Sequence, residues 1–259
     1  MKTTMALKRL LGVAGAGLIA LLLVAQIPPA SRDAPGAAGG EKTTLCGLPG
    51  AGAEPPQGEG PLRAVDAHLC GFHFYSGDMK RALRVDHYCS RLNDDVLQCI
   101  IYDSNEKNAR LIGVEYIISE ALFKQLPEEE KKLWHSHRYE VMSGQLIAPG
   151  LSAADEKKLM KDFVSTYGKT WHLWQVDRGD KLPLGLPKLM MGFTAEGQAD
   201  SKMVAARDRD LGVDPAKVKA ARADIPTRPV AAGADGWQQG QTFQINDDLL
   251  QPTQTVPQP

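Results

Sequence analysis

The chain has 259 residues, 24% of them charged, and a formal net charge of −1. Nothing in that balance suggests a nucleic-acid partner or a strongly anionic membrane surface, and no glycine-rich phosphate loop points to a nucleotide. Aromatic and β-branched residues concentrate in a central stretch long enough to bury a core without help from disulfides.

At the N-terminus, Lys2, Lys8 and Arg9 precede an uncharged apolar run over residues 10–27, the layout of an export signal. The run exceeds the usual ~7–15 residues of a signal core and approaches the ~18–20 that span a bilayer. Residues 1–30 are therefore expected to be a signal peptide or a membrane anchor. The protein is then periplasmic, secreted or tethered. Residues 31–61 are rich in Ala, Gly and Pro and lack the apolar side chains that offset the entropy of ordering, so a linker is expected there. At the other end, residues 213–259 read as a flexible Gln/Pro-rich tail, with Trp237 and Phe243 as aromatics that could dock back on the domain.

Between these ends, residues 62–212 alternate strand and helix patterns. Residues 82–93 read as a strand with Val85, His87 and Cys89 on one face, and residues 96–103 and 110–118 as two more. Ser119 caps a helix carrying Leu122 and Phe123, and Pro127 opens a helical turn whose acids precede its bases. Strand character returns over residues 135–147. Ser152 and Asp155 resemble a capping box, opening a helix with Leu159, Phe163 and Tyr167 on one face and Gly168 as its stop. A strand over residues 170–176 and a helix over residues 202–211 complete the series. The expected fold class is α+β, a single domain with a mainly antiparallel sheet and flanking helices. Residues 182–193 are apolar but broken by Pro183 and Pro187. They suit either a buried core crossing or an exposed loop that touches lipid.

Four cysteines, Cys46, Cys70, Cys89 and Cys99, allow two bridges in an oxidising compartment. A hairpin around residues 93–95 places Cys89 opposite Cys99, within reach of a bridge after local adjustment. Two small buried apolar side chains explain the same pair equally well.

The six histidines all fall between His68 and His172. His135 and His137 form an H-x-H pair that a strand would turn to one face, and His172 lies mid-strand between Trp171 and Trp174. Three converging imidazoles are the usual minimum for a zinc, copper or iron site. Glu140 follows the pair much as a glutamate follows H-x-H in the metal motif of cupins. Its odd spacing sends it to the opposite face of a regular strand, and the helix over residues 152–167 does not suit a cupin barrel. The candidate metal ligands are His135, His137, His172 and Glu140, set against local hydrogen bonding of the same side chains. His68, His73 and His87 read first as core or hydrogen-bonded residues, with His87 a possible member of a mixed site beside Cys89. No G-x-S-x-G elbow marks a hydrolase.

Five blocks together resemble the oil body-associated protein family: HLCGFHFYSGDM (68–79), HYCSRLNDDVLQCIIYDS (87–104), NARLIGVEYIIS (108–119), LPEEEKKLWHSHRYEV (126–141) and YGKTWHLWQVDRGDKLPLGLPKLMMGF (167–193). The similarity runs from about residue 63 to residue 212. It implies a lipid surface as partner, since plant members associate with seed oil bodies, and it implies no catalytic residues. The export segment and the Gln/Pro-rich end depart from the plant pattern and argue against an intracellular oil-body role for this chain. Two functional readings follow. One is a lipid- or envelope-associated structural or binding protein, and the other a metal-binding protein or metal-dependent enzyme built on the histidines.

Overall fold

The computed structural model describes residues 60–246. The expected export segment, most of the expected linker, Cys46 and the last residues of the expected tail lie outside them.

Seven strands are present: β1 (Val65–Tyr75), β2 (Asp78–Asn93), β3 (Val96–Tyr102), β4 (Leu111–Ser119), β5 (His135–Ser136), β6 (Thr166–His172) and β7 (Lys188–Met191). Six α-helices accompany them among the described residues: α1 (Glu120–Gln125), α2 (Glu128–Lys131), α3 (Arg138–Ser143), α4 (Ala153–Phe163), α5 (Ser201–Leu211) and α6 (Pro215–Arg222). The α+β class with an antiparallel sheet is as expected. The sheet, however, is closed. Its order β4-β3-β2-β1-β7-β6 returns on itself because β6 also pairs with β4, from Gly113↔His172 to Ser119↔Thr166. Every pairing is antiparallel, and the result is a six-stranded barrel with the short β5 added alongside β6.

The hairpins form where turn chemistry allows. Gly77, at φ 92°, closes β1 to β2. Asp94 and Asp95 close β2 to β3, with Asp95 N–H donating to Asn93 Oδ1 at 2.9 Å. Ser119 caps α1 by accepting from Leu122 N–H, and Ser152 caps α4 by accepting from Asp155 N–H. The helix of residues 152–167 does not prevent closure. It ends at Phe163, and Tyr167 and Gly168 belong to β6.

Residues opposite one another on paired strands share a face. The register therefore assigns the barrel interior by itself: Leu69 faces His87, His87 faces Ile101, Cys99 faces Glu115, Glu115 faces Thr170, and Gly113 faces His172. Apolar clusters flank this polar middle. Leu69, Leu97, Ile117, Val141, Leu146 and Phe163 pack towards α3 and α4, while Val85, Ile101 and Ile112 pack with Trp174 and Val176 on the other side. Cys89 and Cys99 are cross-strand partners joined by a disulfide, and Cys70 is a buried free thiol.

The outward face of β1 and β7 is also buried. Phe72, Phe74, Leu189, Met191 and Phe193 are covered by Met203 and Val204 of α5 and by Trp237 and Phe243. Residues 213–246, expected to belong to a flexible tail, are thus folded onto the barrel as far as they are described. Trp237 crosses Phe74 edge-to-face with ring centroids 4.9 Å apart. Residues 182–193 divide between the two readings of that segment: Leu189 to Met191 form buried β7, whereas Leu182 and Leu184 stand exposed.

Candidate functional site: a histidine-rich barrel interior

β4 brings a carboxylate into the middle of the barrel. Gly113, Glu115 and Ile117 alternate inward along it, and Glu115 is 2% exposed. Four imidazoles surround that carboxylate. His87 Nε2 on β2 lies 2.8 Å from Oε2, and His73 Nε2 on β1 lies 3.8 Å from the same oxygen. His135 Nε2 on β5 and His137 Nε2, at the start of α3, approach Oε1 at 3.4 and 3.3 Å. All five side chains are buried.

Strand character does not continue from 135 to 147. It stops at Ser136, because His137 adopts a helical conformation (φ −87°, ψ −3°) and residues 138–143 wind as α3, which Gly144 ends in the left-handed region at φ 80°. Both histidines still face Glu115. The helix also changes the parity that would have sent Glu140 away. Three residues on from His137, Glu140 lies on the same helical face and points inward. It lines a cavity of about 10 Å³ together with His73, His87, Glu115 and His137, closed on its apolar side by Leu69, Leu146 and Phe163. That is room for roughly one water.

His172 is not part of the His135–His137 set. Its Nε2 meets His73 Nδ1 at 3.4 Å, so it stands behind His73 on the neighbouring wall. His68 turns outward to Asp86 at 2.8 Å and stacks on Tyr88. The structure thus brings His135 and His137 to the same oxygen of Glu115 and Glu140 to the cavity beside them, sets His172 apart, and adds His73, His87 and Glu115. Glu115 is the residue that sequence reasoning missed. The available signal was a single acid at the inward-alternating position of a β-branched run, between Val114 and Tyr116.

Electrostatics set the protonation states. Burial by itself would raise the Glu115 carboxyl, but the imidazoles of His135, His137 and His87 set close against its oxygens hold it well below the ordinary range. Burial, against the pull of Glu115, depresses His73 well below its ordinary value, and it lowers His137 as well. His172 is pushed down to about 3 by burial and by His87. Glu140 moves the other way, raised well above its ordinary value by burial and by the Glu115 and Asp235 charges.

Several buried polar atoms have no hydrogen-bond partner: both nitrogens of His87, both of His135, Nδ1 of His172 and Oε2 of Glu140. For His87 the 2.8 Å approach to Glu115 lies off the line of an N–H bond, so proximity does not make a hydrogen bond. Buried polar atoms are rarely left this way unless an ion or water belongs there. Imidazole nitrogens and carboxylate oxygens are the donor set of zinc, iron and copper sites.

Residues 59–226 match the family described as "Protein of unknown function (DUF1264)". The chain is 42% identical over 198 residues to oil body-associated protein 1B of Arabidopsis thaliana, covering 76% of this chain and 82% of that relative. It is 48% identical over 167 residues to oil body-associated protein 1A of Zea mays, covering 64% and 70%. To oil body-associated protein 2C of Arabidopsis thaliana it is 39% identical over 225 residues, covering 85% and 91%. No solved structure matches the chain. Similarity at 39–48% identity across most of the length of such relatives makes this chain a member of the oil body-associated protein family.

Proposed function

We propose that the barrel binds a divalent transition metal, zinc, iron or copper, through its interior histidines and carboxylates. The observation that carries this reading is the set of four buried imidazoles around the Glu115 carboxylate, two of them with no hydrogen-bond partner at either nitrogen. Burying a carboxylate costs several kcal/mol unless its charge is met, and a cation among the nitrogens meets it. Oxygen-seeking Ca²⁺ and Mg²⁺ would find too few oxygens here.

The test is thermal unfolding of chelator-treated protein with added metal. At a hundred times its dissociation constant, a ligand stabilises the fold by about 2.7 kcal/mol, which for a domain of this size raises Tm by roughly 5–10 °C. Zn²⁺, Fe²⁺ (kept anaerobic) or Cu²⁺ is expected to give that shift, and Mg²⁺ and Ca²⁺ none. Absence of any shift with all three transition metals overturns the reading.

A separate observation carries a second, compatible reading. The β6–β7 loop, residues 173–187, presents Leu173, Leu182 and Leu184 at 41%, 55% and 49% exposure. Leu111 opens β4 at the same end of the barrel and is also exposed. Among the described residues no helix is long and apolar enough to cross a membrane, and this loop is an apolar feature that reaches outward. The relatives are named for association with oil bodies, and a lipid surface is the partner this loop suits.

A further inference from the structure

The two oxygens of Glu115 divide the surrounding histidines into pairs. Oε2 faces His87 at 2.8 Å and His73 at 3.8 Å, while Oε1 faces His135 at 3.4 Å and His137 at 3.3 Å. The ligand atoms of His73, His87 and Glu115 all lie within 4.8 Å of one another, and those of Glu115, His135 and His137 form a second such set. Ligands held about 2.0–2.2 Å from one ion stay within roughly 4.4 Å of each other even when opposite. Every histidine lies within that limit of its own Glu115 oxygen, so each pair can share an ion with that oxygen, and the geometry offers two positions.

We propose that the barrel holds two divalent transition-metal ions bridged by the Glu115 carboxylate, one on His73 and His87, the other on His135 and His137. This rests on the metal-binding reading above and specifies its stoichiometry.

The hydrogen bonds behind the imidazoles fit this role. Thr166 Oγ1 donates its one proton to Phe163 O at 2.9 Å, so it accepts from His137 Nδ1–H at 2.8 Å. In neutral His137 that leaves the lone pair of Nε2 directed towards Glu115 Oε1 at 3.3 Å, an arrangement that an ion shared by the two would stabilise. On the other side, His73 Nδ1 meets His172 Nε2, which leaves His73 Nε2 to face Oε2. An outer partner that fixes the ring is what metal-bound imidazoles ordinarily have. His87 and His135 keep both nitrogens unpaired. Glu140 supplies a second carboxylate next to His135: its Oε2 and His135 Cδ2 lie 2.7 and 2.9 Å from the point that a Cβ on Gly192 would occupy. The cavity beside the cluster has room for one solvent ligand. In two-ion centres the ions stand about 3.5–4 Å apart, close enough to couple magnetically.

Metal-free full chain is loaded with excess Mn²⁺ or Zn²⁺ and desalted, and metal per chain is counted by plasma mass spectrometry. Two ions per chain are expected, and the Mn²⁺ form is expected to show an exchange-coupled paramagnetic resonance spectrum. His87→Gln and His135→Gln are each expected to retain one ion. One ion per wild-type chain overturns the two-ion centre and leaves metal binding standing. No retained ion, together with no thermal shift, overturns both. Two ions with an uncoupled spectrum overturn the bridge. Because the count and the spectrum are read on wild-type protein, a variant that fails to fold leaves the decision intact.

Discussion

The β6 residue set against the end of the Glu115 side chain is Gly168, and the reason is spatial. A Cβ there would collide with Glu115 Oε1 and stand 2.9 Å from both Cε1 and Nε2 of His135. Gly113, opposite His172, is confined in the same way, since a Cβ there would stand 2.5 Å from the Trp171 backbone oxygen. A carboxylate end can usually swing aside, but Glu115 is held between two pairs of histidines. Gly168→Ala is therefore expected to lose about 2–3 kcal/mol, the upper part of the usual range for overpacking, and to lose bound metal with it. Urea unfolding and metal content measure the two effects; unchanged values for both would show that the Glu115 side chain is free to move. At this scale the histidines were legible as a group, because all six fall inside the domain and H-x-H is conspicuous. Glu115 and the glycines that make room for it were not. An acid in LIGVEYIIS signals burial only once the inward face of β4 is known, and that face is fixed by partners at Cys99 and Thr170.

Among the elements, α3 and residues 213–246 differ most from what periodicity suggested. Residues 138–143 carry no strong helical stripe, and the helix is held from outside: Arg222 of α6 donates to Val141 O and, at 2.9 Å, to Leu146 O, and it pairs with Glu156 of α4. Farther along, Asp235 accepts from Ser136 N–H at 2.9 Å and from its hydroxyl at 2.6 Å, fixing the residue between His135 and His137. Neither contact is local, so a Gln/Pro-rich composition hid both. Truncation after Gly212 strips these partners from buried carbonyls and from the β5 backbone, each loss costing about 1–3 kcal/mol. A chain ending at Gly212 is expected to melt well below one ending at Asn246, and to retain less metal. Equal melting temperatures would show that residues 62–212 are self-sufficient. The caps at Ser119 and Ser152 and the Cys89↔Cys99 register, by contrast, follow from short-range pattern and agree with it. Reducing that bridge, which closes a loop of sequence separation 10, should cost about 2–3 kcal/mol in urea unfolding.

For the molecule as a whole, the antiparallel α+β class was readable from alternating strands and short hairpins. Closure was not, because it depends on β4 meeting β6 across the intervening helices, a pairing that no local signal encodes. Closure also separates the two functional readings in space. Histidines on the interior are shielded by apolar packing on both sides, whereas Leu182 and Leu184 lie on a loop beyond the end of β6. A net charge of −1 gives no general attraction to anionic headgroups, so contact with lipid must come from apolar burial. Each leucine is already about half covered, and completing its burial is worth roughly 1 kcal/mol, half the value for a whole side chain. The double variant Leu182→Asp, Leu184→Asp is therefore expected to weaken flotation with neutral phosphatidylcholine vesicles by at least tenfold, while metal content and melting temperature stay at wild-type values. Raising salt should change the wild-type affinity little, since the attraction is not ionic. Vesicle binding that survives the double substitution would place the lipid contact elsewhere on the chain, and a parallel loss of metal would mean that the loop supports the barrel interior and does not act as an independent docking surface.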